Sequence, residues 1–232
     1  MSEALFNHQT VDLRKSTIRD LNTVLQSEDV TGSWEVRHPD GRHSIAVGLT
    51  APIDVTIEGQ VGYYACGMNQ RANLTIKGNA GPGVAENMMS GSVHVEGNAS
   101  MAAGATGHGG LLVIDGDAGA RCGISMKGID IVVRGSVGHM SGFMAQSGAL
   151  VVCGDAGEAL GDSLYEAKIF VRGEVKSLGA DCEEKTMTEE DLDILRNILE
   201  KSGITEYDAT TFRRYGSGRR LYNFHVDNAS AY

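Results

Sequence analysis

The chain has 232 residues, enough to bury a sizeable core without metal or disulfide staples. Its 31 glycines beside only 3 prolines exclude collagen and proline-rich disorder, and 41% hydrophobic residues without a run of about 18 in a row exclude a spanning helix. A net charge of −10 argues against nucleic acid and membrane as partners, because such binding rests on neutralising phosphates.

The first residues, MSEALFNHQTVDLRK, show no basic segment followed by an apolar one, so a cytoplasmic location is expected. Residues 1–33 read as an N-terminal capping segment. In it Ile18, Leu21 and Leu25 share one helical face behind Ser16 and Thr17 as caps, which predicts a short amphipathic helix. Residues 34–50 contain Pro39-Asp40-Gly41, read as a hairpin inside an imperfect first coil.

From Val55 onward the chain repeats. VTIEGQVG, LTIKGNAG, VHVEGNAS, LVIDGDAG, IVVRGSVG, LVVCGDAG and IFVRGEVK start 19 residues apart without insertion. A unit this short cannot bury its own apolar face, so stacking is required. The spacing predicts an all-β solenoid over 34–180: a right-handed parallel β-helix of about seven 19-residue coils, with short flanking helices. A hexapeptide solenoid fits less well, because 19 does not divide into three equal motifs.

Two glycine columns run through the repeat: Gly59, Gly78, Gly97, Gly116, Gly135, Gly154 and Gly173, then Gly62, Gly81, Gly119, Gly138 and Gly157. Both are expected to be corners that need positive φ. The first and third residues of each unit, such as Val55 and Ile57, are expected inside by strand alternation. The second then points outward and reads Thr56, Thr75, His94, Val113, Val132, Val151, Phe170. Four stacked outward hydrophobes need a cover, either the following helix or a partner subunit.

Three further columns complete the reading. Glu58, Lys77, Glu96, Asp115, Arg134, Cys153 and Arg172 suggest an outward ladder of cross-strand charges. Cys66, Ala85, Gly104, Gly123, Gly142 and Gly161 are all small, which marks a tight corner or close contact. Seven of nine methionines fall between Met68 and Met144 and are expected to fill core gaps. The cysteines Cys66, Cys122, Cys153 and Cys182 form no C-x-x-C pair and read as buried reduced thiols.

Residues 181–232 read as a helix followed by a basic, aromatic docking arm. Thr188 and Asp191 form a capping box, Leu192, Leu195, Ile198 and Leu199 an apolar stripe, and Gly203 a stop. The last 30 residues hold six of thirteen aromatics among four arginines, a composition that favours a protein interface. Its candidates are Phe212, Tyr215, Arg219, Arg220, Tyr222 and Phe224, with Val113, Val132, Val151 and Phe170 on the strand face. Phosphate loops, metal spacings and nucleophile elbows are absent from the sequence, so catalytic, cofactor-binding and metal residues are expected to be none.

The unit I/V-x-I/V-x-G-x-A/V-G, with VDLRKSTIRDLN ahead of it, resembles the GXGXG β-helix domain. That domain is found at the C-terminal end of glutamate synthase large subunits and in the C subunits of formylmethanofuran dehydrogenases. The resemblance covers residues 10 to 180. A separate chain ending in FRRYGSGRRLYNFHVDNASAY is most similar to the B subunits of N-methylglutamate synthases. The resemblance implies a non-catalytic scaffold, with FMN and optional iron–sulfur clusters on partner subunits. Those partners are a glutaminase-like subunit and an FMN-binding, glutamate-synthase-like subunit in a hetero-oligomer. Alternatives are a formylmethanofuran dehydrogenase C-type component, a stand-alone glutamate synthase β-helix subunit, and a polysaccharide-binding β-helix. The last needs a groove lined with acids and aromatics, and no strand column supplies one.

Overall fold

The computed structural model describes residues 8–219. In it the 19-residue period becomes a stack of about seven coils, each adding one parallel strand to a single sheet. The strands are β1 (His8–Asp12), β2 (Ser33–Arg37), β3 (Asp54–Glu58), β4 (Asn73–Ile76), β5 (Ser92–Val95), β6 (Leu111–Ile114), β7 (Lys127–Val133), β8 (Ser147–Val152) and β9 (Lys168–Val171), paired in chain order. The register keeps each column intact: Val55 faces Leu74, Leu74 faces Val93, and Leu112 faces Ile131. First and third positions of every unit are buried, and they stack as aliphatic columns inside the coil. A one-residue slip would turn all of them to solvent, which is what fixes the register.

A second line of contact runs three or four residues past each strand from β3 onward. Val61, Ala80, Ala99, Ala118, Val137, Ala156 and Val175 bridge one another in parallel, all nearly buried except the half-buried Val175. The rest of each coil is an arc of residues that alternate in sign of φ. Tyr64, Cys66 and Met68 have φ of 59°, 58° and 56°, and Ala102, Gly104 and Thr106 repeat this two coils later. The alternation aims successive N–H groups at opposite neighbours. Tyr64 N donates to Pro82 O (2.9 Å) on the next coil, Cys66 N to Ile45 O (2.9 Å) on the previous one, and Met68 N to Glu86 O (2.7 Å) on the next. Left-handed backbone is unfavourable for non-glycine residues, and here inter-coil hydrogen bonds offset that cost.

The small column of Cys66, Ala85, Gly104, Gly123, Gly142 and Gly161 is therefore the left-handed corner. The two glycine columns expected to be corners are not. Of those twelve glycines only Gly59 has positive φ (133°). The other eleven are glycines because the preceding coil lies too close for a Cβ. At Gly97 a Cβ would stand 2.5 Å from Asn79 Oδ1 and 2.8 Å from the Gly78 carbonyl carbon. At Gly138 it would meet Ala120 N at 2.6 Å and the Gly119 carbonyl carbon at 2.7 Å.

The residue after the first glycine column explains part of this crowding. Asn79 Oδ1 accepts from Asn98 N, Asn98 Oδ1 from Asp117 N (both 2.8 Å), Asp117 Oδ1 from Ser136 N (2.7 Å), Ser136 Oγ from Asp155 N (3.0 Å) and Asp155 Oδ1 from Glu174 N (2.8 Å). Each side chain thus satisfies a backbone donor one coil on, where no strand pairing reaches it.

The ends differ from expectation in three respects. First, β1 pairs with β2, so the sheet begins inside the segment read as a cap. The predicted helix is present as α1 (Ile18–Leu25), with a Thr17–Asp20 capping box and Leu21 and Leu25 buried. Asn22 Nδ2 donates to Ser44 O (2.8 Å), which seats it on the coil. Second, Pro39-Asp40-Gly41 is a coil corner and not a hairpin: its strand β2 pairs only in parallel, and Gly41 N donates to Gln60 O (3.0 Å) on the next coil.

Third, part of the arm is a strand. β10 (Cys182–Lys185) and β11 (Arg213–Ser217) close the stack, with β11 antiparallel between β9 and β10. Between them lies α2 (Glu189–Lys201), begun by the Thr188–Asp191 capping box and followed by Gly203 at φ 68°.

Candidate interaction surface

The outward column of the sheet divides where its sequence divides. Thr56, Thr75 and His94 are half-buried, whereas Val113 is 7% exposed and Val132, Val151 and Phe170 are fully buried. The cover is α2 with the turn after it. Leu195, Ile198, Leu199, Ile204, Ala209 and Phe212 form a second apolar core with Val132, Ala149, Val151, Cys153 and Phe170, and Leu192 packs half-buried at its rim. Burying three such side chains stabilises this contact by about 1.5–3 kcal/mol each.

Val113, Val132, Val151, Phe170 and Phe212 are therefore shielded by this chain and are not docking positions for another subunit. The same holds for Tyr215, which is 2% exposed on β11 and belongs to the main core. Arg219 ends the described segment and is ion-paired with Asp181. Arg220, Tyr222 and Phe224 lie outside the described residues.

Polar contacts fix α2 in place. Asp191, the capping carboxylate, also receives Lys168 Nζ at 2.7 Å and Arg214 Nε at 3.3 Å. Desolvation pushes its carboxyl up, but the hydrogen bonds from Lys168 and Thr188 and the nearby Arg214 outweigh this and hold it below the ordinary value. Arg134 Nη1 reaches Glu206 Oε1 at 2.6 Å, Arg172 lies 4.3 Å from the centre of the Tyr207 ring, and Arg213 Nη2 donates to Gly173 O at 2.6 Å. The arginine-rich composition that suggests an outside partner serves to a large extent to hold the chain's own C-terminal segment.

The uncovered half of the face, on β3 to β5, is a polar grid. Asn73 Nδ2 donates to Asp54 (3.0 Å), Ser92 Oγ to Asn73 (2.8 Å), and Lys77 pairs with Glu58 at 2.8 Å. At its boundary with α2, Asp115 is held between His94 Nε2 (2.9 Å) and Arg134 Nε (3.0 Å). This array extends the charge ladder read from the sequence and adds His94 to it. It holds water-facing pairs of small energetic weight and no nucleophile beside a base.

All four cysteines are buried free thiols. Burial pushes Cys66 and Cys122 up to about 12, and Cys153 and Cys182 up to about 11, so none is poised to react. Among the described residues no group of three or more His, Cys, Asp or Glu side chains could hold a metal. No helix there is long and apolar enough to cross a membrane.

The methionines correct another expectation. Met88 and Met126 fill the core, but Met68, Met89, Met101 and Met144 are exposed on the left-handed arc, as are Tyr63, Tyr64 and Tyr165. Sequence reasoning missed this face because the arc has no period-2 alternation to say which way a side chain points. Its one signal was that Met68 and Met144 fall in the same column, four 19-residue periods apart.

No family model matches the chain, and no solved structure matches it. Protein GlxC of Rhizobium meliloti (strain 1021) is 59% identical over 227 residues, which covers 96% of this chain and 99% of that protein. The match spans the repeat, the capping helix and α2 alike, so it concerns the whole architecture. The chain belongs to the family of Protein GlxC.

Proposed function

We propose that this chain is a scaffold subunit of a glutamate-synthase-like complex of the N-methylglutamate synthase type. In that reading, glutaminase-like and FMN-binding subunits convert glutamate and methylamine to N-methylglutamate and ammonia in the cytoplasm. The observation that carries it is the stack itself: seven units of I/V/L-x-I/V-x-G-x-A/V fold into one continuous sheet with matched register. That unit is the feature the chain shares with the GXGXG domains of glutamate synthases. A rod of this kind, with about 4.8 Å per coil, offers long faces on which two other subunits can be held at a fixed separation.

Co-expression of the tagged chain with the two partner subunits tests the proposal. A stoichiometric three-subunit complex is expected, with N-methylglutamate formed from glutamate and methylamine only when all three are present. Partners that assemble and turn over fully without this chain, or turnover by this chain alone, would overturn it.

A further inference from the structure

Five of the exposed large apolar side chains, Tyr63, Tyr64, Met68, Met101 and Met144, lie on one strip of the left-handed arc. The strip consists of residues 63–68, 82–87, 101–106, 120–125 and 139–144, one segment from each of five consecutive coils. In a chain of which 22% is charged, these five six-residue segments hold one acid, Glu86, and one base, Arg121. Aromatic, methionine and arginine side chains with few other charges are the composition of an interface centre.

The two charges are placed to meet across a second copy of the same strip. Arg121 is exposed, Glu86 is half-buried, and neither has an ion pair among the described residues. A Cβ on Gly83 would stand 2.7 Å from Tyr64 Cδ1 and 2.9 Å from Glu86 Oε2, so the ring and the carboxylate both lean over Gly83. Gly83 and Arg121 hold the same place in their coils, two 19-residue steps apart, with Ala102 midway. A two-fold axis across the rod at Ala102, in the plane of the strip, reverses the order of the coils and makes each column face itself. It sets Arg121 of one copy over Gly83 of the other, against the Glu86 carboxylate and the Tyr64 ring, and does so twice. The same axis sets Tyr64 against Met140, a sulfur–aromatic contact, and Met68 against Met144. A parallel arrangement, coil against like coil, would instead bring both Glu86 carboxylates into one layer and leave Arg121 two layers away.

We propose that this strip is the interface of an antiparallel homodimer, with its two-fold at Ala102 and Arg121 of each copy received by Glu86 and Tyr64 of the other. The strip is about 24 Å long and about 17 Å wide, so the two copies together bury about 800–1,000 Å². That lies at the small end of specific interfaces, and a dissociation constant of about 10 μM is expected. The dimer needs no other subunit and leaves the polar face of β3 to β5 free.

Sedimentation equilibrium of the isolated full chain, from about 1 to about 200 μM, reads the dimer directly. Glu86→Arg and Arg121→Glu should each weaken it at least about tenfold, since each sets like charges together at two symmetric places. Combining the two reversals should restore the dimer to within about threefold of the wild type. Circular dichroism melts of the three variants should match the wild type, because both positions lie at the surface. A chain that stays monomeric throughout, single reversals without effect, or a double variant no better than the singles would overturn the proposal. A short bismaleimide tests the direction of packing, because the four native thiols are buried. Met68→Cys mixed with Met144→Cys should cross-link, and neither variant should link to itself; links from Met68→Cys to Met68→Cys would refute the antiparallel two-fold.

Discussion

Two glycine-to-alanine variants separate the two reasons this chain uses glycine. Gly154 lies in a close-contact column without positive φ, so alanine is acceptable to its backbone. Its Cβ, however, would stand 2.6 Å from Gly135 O, 2.7 Å from the Gly135 carbonyl carbon and 2.7 Å from Ser136 Oγ. Two of those atoms are backbone and cannot swing away, so the coils must part. That strains the Gly154 N to Gly135 O (2.9 Å) and Gly173 N to Gly154 O (3.0 Å) bonds. Overpacking costs about 1–3 kcal/mol and each weakened hydrogen bond up to about 1, so a loss of about 3 kcal/mol is expected. Gly123 is the reverse case. Its φ of 69° disfavours alanine, but the nearest atoms to an added Cβ are the Met126 sulfur at 3.2 Å and Ile131 Cδ1 at 3.3 Å, both on movable side chains. The left-handed penalty is about 1–2 kcal/mol, partly offset by the lower entropy of the unfolded alanine chain, so the loss should be about 1 kcal/mol. For a chain of this size these figures correspond to a fall in Tm of about 6–12 °C for Gly154→Ala and about 2–4 °C for Gly123→Ala. Thermal melting followed by circular dichroism measures both. A larger fall for Gly123→Ala would refute the contact argument and restore the corner explanation for the whole column.

Further perturbations follow from the second core and the buried groups. Val151→Asp places a carboxylate between the sheet and α2, and the isolated chain should lose several kcal/mol of stability, with protease sensitivity appearing first around 186–205; an unchanged digestion pattern would mean that α2 is not held there. Asp191→Asn removes the charge that Lys168 and Arg214 share. Because the Asp191 carboxyl is held below its unfolded value of 3.8, its stabilising effect is complete above that pH and is lost as pH falls through the lower folded value. Acid melts of the wild type should therefore show a loss below about pH 4 that Asp191→Asn lacks. The four thiols should resist labelling in the folded chain and all react after denaturation. Cys66 and Cys122 are raised from 9.0 to about 12, so their contribution is intact below pH 9 and disappears between pH 9 and 12, and a flat alkaline stability profile would contradict their burial.

How far the sequence alone could be read depends on what each element's residues must do. The parallel strands are legible because both conditions of a coil, inward alternation and a constant 19-residue step, leave marks in the same columns. The α2 helix is legible because Thr188, Asp191 and Leu195 carry a cap and a stripe within one short segment. By contrast β10, CEEK, and β11, RRYGS, show no apolar alternation, since they close the end of the stack through backbone pairing and ion pairs such as Arg214 to Asp191. Without a second copy to repeat them, they have no column to betray them, and the arginines and tyrosine of β11 read as a free arm.

The glycine columns show a subtler limit and also its remedy. Positive φ and close contact both select glycine, so the residue type does not state its reason. Comparing the copies supplies part of it. The left-handed column admits Cys66 and Ala85 at φ of 58° and 57°, because a penalty of about 1–2 kcal/mol can be offset by neighbouring contacts. The contact column is glycine in all seven copies; at six of them an atom of the preceding coil lies within 2.8 Å of the missing Cβ, as at Gly97 and Gly154, and at Gly59 φ is 133°. In this solenoid, then, the column that is glycine in every copy marks where coils touch, whereas a contact column that varies, such as Gly62 to Gly157 with Ser100 and Lys176, does not state its reason by residue type.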